Sequence, residues 1–81
     1  LNKSIYTEEY RLFLLRLRKA RSESGLTQVQ VAHLLKRHQS YISKCESGER
    51  RIDIIELMAF ARIYGKNLDY FIQKDSGVSS P

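Results

Sequence analysis

The stretch Thr27 to Gly48, TQVQVAHLLKRHQSYISKCESG, decides how this chain folds. It reads as two short helices across a tight turn. Val29, Ala32, Leu34 and Leu35 recur at helical spacing, which predicts one buried stripe on the first helix. After a break at Lys36-Arg37-His38, apolar positions resume at Ile42 and Cys45, a thinner stripe on the second. The second helix is left with Gln39, Ser40, Tyr41, Ser43 and Lys44 facing outward. Side chains of this kind hydrogen-bond to base edges or phosphates.

The flanking signals agree with that reading. Thr27 with Gln30 three residues on forms a capping box, so a helix starts directly after Gly25, whose conformational freedom ends the one before. Lys36 stands where a tight helix-to-helix turn favours glycine; a left-handed lysine there costs roughly 1 kcal/mol. His38 is a mediocre N-cap, and Gly48 is suited to the left-handed position that closes the second helix.

Upstream, Thr7 is a good N-cap, with Glu8 and Glu9 where the helix dipole favours negative charge. From Glu8 to about Ser24, Tyr10, Phe13, Leu14, Leu17 and Ala20 make a stripe of period near 3.6, widened by Leu12 and Leu15. Downstream, Asp53 caps a further helix with Glu56 at the reciprocal position. Ile54, Ile55, Leu57, Met58, Ala61 and Ile63 give that helix a broad apolar face, and Gly65 stops it. Asn67 can cap a last short helix, Leu68 to about Gln73, with Leu68, Phe71 and Ile72 covering the core. Residues 1–6 read as an arm in which Ile5 and Tyr6 could fold back, 7–73 as the domain, and 74–81 as a flexible tail. No segment alternates with period 2, so the expectation is five helices and no strand.

Composition narrows the class. At 81 residues there is room for one domain, and 42% hydrophobic with 28% charged residues is ordinary for a folded soluble chain. No apolar run approaches the ~18 residues of a membrane span, and no signal-peptide pattern opens the chain. A lone cysteine in a helical pattern fits a reducing, cytoplasmic setting; Cys45 follows Ile42 by three and points inward as a small inert hydrophobe. His33 and His38 lack the spacing and further ligands of a zinc site, so no metal or other cofactor is expected. No nucleophile-base pair, phosphate loop or paired carboxylate suggests an enzyme. The aromatics Tyr10, Phe13, Phe60, Tyr64 and Phe71 are spread over several helices and read as packing, not as a base-stacking platform. The formal charge of +5 favours an anionic partner, and Lys36, Arg37, Lys44, Arg50 and Arg51 cluster with only Glu46 and Glu49 as acids among them.

The run Leu26-Thr27-Gln28 with Ala32, followed by Gln39-Ser40-Tyr41-Ile42-Ser43-Lys44, Glu46, Gly48 and Arg50, resembles the phage-repressor and Cro type helix-turn-helix, often called the Xre family. The likeness covers about residues 11–73. It implies an all-α, compact five-helix, lambda-repressor-like domain in which helices 2 and 3 form the helix-turn-helix and helix 3 lies in the DNA major groove. By the same resemblance Gln39, Ser40, Ser43 and Lys44 face base edges, and Gln28 touches the DNA backbone while bracing Gln39. Arg37, His38, Tyr41, Ser47, Arg50 and Arg51 join Gln28 along the backbone. Ala32 lets helices 2 and 3 approach, and Arg21 with Glu46 matches a partly buried ion pair tying helix 1 to the end of helix 3. Lys36, Arg37 and His38 depart from the family's turn pattern and add positive charge beside the phosphates.

The function implied is sequence-specific binding of double-stranded DNA by a transcriptional regulator, a repressor, acting as a homodimer on a near-palindromic site. Leu68, Tyr70, Phe71 and Ile72, with Ile5 and Tyr6, are the dimer candidates. Two alternatives fit the same basic face: an antitoxin-like protein-interaction module, whose partner would be a toxin, and an RNA-binding domain. A contact with RNA polymerase is a further open possibility.

Overall fold

The computed structural model describes residues 7–72, which form five helices: α1 Glu8–Ser24, α2 Gln28–Leu35, α3 Gln39–Ser47, α4 Ile54–Tyr64 and α5 Leu68–Ile72. There is no strand among the described residues. The arm, the tail and the end of the last helix at Gln73 lie outside them.

Most of these boundaries have a local cause. The Thr7 hydroxyl accepts from the Tyr10 amide at 3.1 Å. At α2, Thr27 Oγ1 accepts from Gln30 N at 3.1 Å while Gln30 Oε1 accepts from Thr27 N at 2.9 Å, and Asp53 with Glu56 repeats the exchange at α4. His38 precedes α3 without any side-chain cap bond. Two amides donate back at each of three helix ends: beyond α1, Gly25 N to Ser22 O and Leu26 N to Arg21 O; beyond α2, Lys36 N to His33 O and Arg37 N to Ala32 O; beyond α4, Gly65 N to Arg62 O and Lys66 N to Ala61 O. Lys36 does this at φ 59°, ψ 45°, the left-handed region expected for it. At Gly48, φ is 87°, a backbone conformation that favours glycine, and an added Cβ would push on Leu14 Cδ1 at 2.9 Å.

The core is one cluster drawn from all five helices: Leu17 and Ala20 of α1, Val31 and Ala32 of α2, Ile42 and Cys45 of α3, Leu57, Phe60, Ala61 and Tyr64 of α4, and Phe71 of α5. Fully burying an aliphatic or aromatic side chain contributes about 1.5–3 kcal/mol, so Leu17, Ile42, Phe60 and Phe71 are the main anchors. The expected stripe of α1 is in place, with Leu14, Leu17 and Ala20 buried and Tyr10 and Phe13 partly so; Leu15 remains exposed.

Three expectations need correcting. On α2, Ala32 is buried and Leu35 partly so as expected, but Val29 is 64% and Leu34 55% exposed, and the inward stripe is Gln28, Val31, Ala32, Leu35. Its first member is polar, so hydrophobicity alone selects the wrong phase. On α4, Ile54, Ile55 and Met58 face outward, and Leu57, Phe60, Ala61 and Tyr64 turn inward at i, i+3, i+4, i+7. On α5, Phe71 is 1% exposed and packs against Phe13 and Tyr70, so it covers the core as expected and leaves no surface for the dimer contact also expected of it. Its neighbour Ile72, expected to cover the core, is exposed instead, while Leu68 and Tyr70 are partly buried.

Candidate nucleic-acid interface

Helix α3 turns Ile42, Cys45 and Glu46 into the fold, and at about 100° per residue the opposite arc carries Ser40, Ser43, Lys44 and Ser47. All four are exposed, as is Gln39 at one edge of the arc. Tyr41 lies at the other edge, half-buried. Each edge is tied to the rest of the molecule by a different polar system.

At the Gln39 edge a relay runs outward from the interior. Glu46 is 3% exposed, and its carboxylate accepts from Arg21 Nε at 2.7 Å and Arg21 Nη2 at 3.1 Å. Its Oε1 also accepts from Gln28 Nε2 at 3.0 Å. With its Nε2 so engaged, Gln28 presents Oε1 to Gln39, whose Nε2 donates to it at 2.6 Å. One hydrogen on Nε2 and the whole carbonyl of Gln39 stay available, the donor-acceptor pair that matches the major-groove edge of adenine. The hydrogen bond to Glu46 raises the Arg21 pKa further. Arg21 also donates to Leu26 O at 3.1 Å, and Arg18 Nη1 donates to Glu46 O at 2.7 Å, serving a carbonyl in the last turn of α3. The role of Arg18 had no sequence signature, because its partner lies 28 residues away.

At the other edge the Tyr41 ring stacks on buried Phe60, centroids 6.3 Å apart, and burial pushes its phenol pKa up. Two guanidinium groups cover it: Arg37 at 4.0 Å from the ring centroid and Arg50 at 5.0 Å. Arg50 also pairs with Glu56, Nη1 to Oε1 at 3.0 Å and Nη2 to Oε2 at 2.9 Å, and Arg37 reaches the same carboxylate at 4.0 Å. Arg50 holds the Glu56 carboxyl below its ordinary pKa. Arg51 lies over the Tyr10 ring at 4.5 Å, and the Tyr10 hydroxyl accepts from Ile52 N at 3.2 Å, which fastens the loop after α3 to α1. Ser47 Oγ donates to Lys44 O at 3.2 Å and accepts from Glu49 N at 3.3 Å. Lys36, Arg37 and His38 are exposed in the turn.

Of the DNA-contact residues named from sequence, Gln39, Ser40, Tyr41, Ser43, Lys44 and Ser47 thus lie on α3, Arg37, His38, Arg50 and Arg51 in its two flanking loops, and Gln28 at the start of α2, while Arg21 and Glu46 sit behind α3. Glu56 and Tyr10 were recognised there only as a cap and as packing. Cys45 is buried behind α3, and burial pushes its thiol pKa up.

Two helices across a tight turn, the second offering a polar face rimmed by cations, define a DNA-binding helix-turn-helix. A family model described as helix-turn-helix matches residues 17–71, from the middle of α1 to α5. The chain belongs to that family, the Xre or lambda-repressor-like DNA-binding regulators. Among curated proteins no relative matches it. No helix among the described residues is long and apolar enough to cross a membrane.

Proposed function

We propose that this regulator reads a specific duplex sequence by laying α3 in the major groove, and that it represses transcription as a homodimer on a near-palindromic site in the cytoplasm. The observation that carries the reading is the exposed arc of α3 with its leading glutamine already oriented: Gln39 is fixed by Gln28, which is fixed by the buried Glu46. Preorganised amides lose little on meeting a base edge, and a good bidentate pair discriminates by ~1–3 kcal/mol. Ser40, Ser43 and Lys44 share the base-facing role. Gln28, Arg37, His38, Tyr41, Ser47, Arg50 and Arg51 line the phosphates. One such helix spans few base pairs, so specificity comes from two copies with half-site centres about 34 Å apart. Exposed Ile72 and partly buried Leu68 and Tyr70 are the surface we assign to pairing; Ile5 and Tyr6, the other dimer candidates, lie outside the described residues.

Selection of bound duplexes from a random pool tests this. The expected result is a near-palindromic motif for which Gln39→Ala or Lys44→Ala loses preference at one position per half-site. Arg37→Ala instead weakens all sequences alike and flattens the salt dependence by about 0.9 in slope. Enrichment of no motif, or stronger binding to single-stranded RNA than to duplex DNA, overturns the reading.

A further inference from the structure

The reciprocal position of a capping box needs an acceptor, not a charge. This chain shows as much, since Gln30 fills that position at α2 while Glu56 fills it at α4. The carboxylate of Glu56 goes further: it takes both terminal nitrogens of Arg50, at 3.0 and 2.9 Å, and lies 4.0 Å from Arg37. Arg50 Nη1 is committed a second time, donating to Arg51 O at 3.0 Å. The end of the Arg50 fork, the face that grips a phosphate bidentately, is therefore occupied.

We propose that Glu56 is an internal competitor for the phosphate-binding arginines, restraining how tightly and how salt-sensitively the domain holds duplex DNA. The inference rests on the DNA-binding reading above and adds a residue that restrains that surface. A phosphate arriving beside Arg37 and Arg50 either displaces the carboxylate or shares the two cations with it. Both routes weaken the contact. Removing the charge leaves the arginines in place, because both also rest on the Tyr41 ring, which is itself stacked on Phe60. The freed charge then acts on the phosphate backbone, which carries no sequence information, so every duplex gains alike.

The test compares wild type, Glu56→Gln, which retains the cap, and Glu56→Ala, which retains its Asp53 half. Binding is measured by fluorescence anisotropy on a selected duplex and a scrambled one at several salt concentrations, and circular dichroism checks the fold. Both variants should bind both duplexes about 3- to 10-fold more tightly at low salt, the scale of one unit charge a few ångströms from a phosphate in water-like surroundings. The slope of log K against log salt should steepen by about 0.9, one further phosphate neutralised. If wild type binds and the folded variants bind no more tightly, with the same slope, the competitor role is overturned while DNA binding stands. A wild-type chain without affinity for any duplex overturns both readings. Loss of the helical signal in both variants would make Glu56 a purely structural residue and end the proposal.

Discussion

Replacing Arg21 by alanine strips Glu46 of two of the three hydrogen bonds its carboxylate receives, leaving only the Gln28 amide at 3.0 Å. Breaking a buried pair from one side costs ~3–5 kcal/mol because the remaining charge is stranded. Arg21 sits at the rim, so water enters its place and the cost falls below the fully buried range, to about 2–4 kcal/mol with the lost bond to Leu26 O included. An 81-residue domain has about 4–12 kcal/mol in all, so roughly a third to a half of its stability goes. At about 4–8 °C per kcal/mol the midpoint falls by about 8–32 °C. Urea denaturation followed by circular dichroism at pH 7 measures the loss. It should change little between 0.05 and 0.5 M salt, since a buried pair is poorly screened. Replacing both partners, Arg21→Met with Glu46→Leu, should recover most of the loss, because two apolar side chains strand no charge. An Arg21→Ala variant within about 0.5 kcal/mol of wild type, the range of an ordinary surface substitution, would refute the reasoning.

Lys36→Gly relieves a left-handed lysine and should stabilise the fold by about 0.5–1 kcal/mol, a rise of a few degrees in melting temperature; a fall would mean that the lysine side chain contributes more than its backbone costs. The Glu56 carboxyl has a lower pKa folded than unfolded, so its stabilising contribution is complete above the ordinary value of 4.5 and is lost as pH falls through the folded value. Glu56→Gln should therefore show a flatter stability profile than wild type between about pH 5 and 3, and parallel profiles would contradict the pairing. Buried Cys45, its thiol pKa raised, should react with a thiol reagent only at the rate of global unfolding; rapid labelling of the native protein would place it at the surface.

Much of the chain was legible in its sequence because the deciding signals are local. Thr7, the boxes at Thr27 and Asp53, and the left-handed positions Gly25, Lys36, Gly48 and Gly65 act on backbone groups within a few residues, so helix number and limits follow from short-range chemistry. The linked motif from Leu26 to Arg50 went further and named the family, and with it the helix that faces outward. The stripes of α1 and α3 followed from spacing, with Leu14, Leu17 and Ala20, and Ile42 and Cys45, buried as expected; what tertiary structure alone decided is which face of α2 and of α4 turns inward. On α2 and α4 several aliphatic phases were open, and only packing against the other helices selected Val31 over Val29 and Leu57 over Met58. Polar side chains mislead a hydrophobic count in the same way: Gln28 belongs to the inward stripe because Glu46, from another helix, needs its amide. The partners of Arg18 and Arg50 depend on residues distant in sequence or on opposite sides of a loop. No spacing rule reaches them, because the energies that fix them arise only once the helices have met.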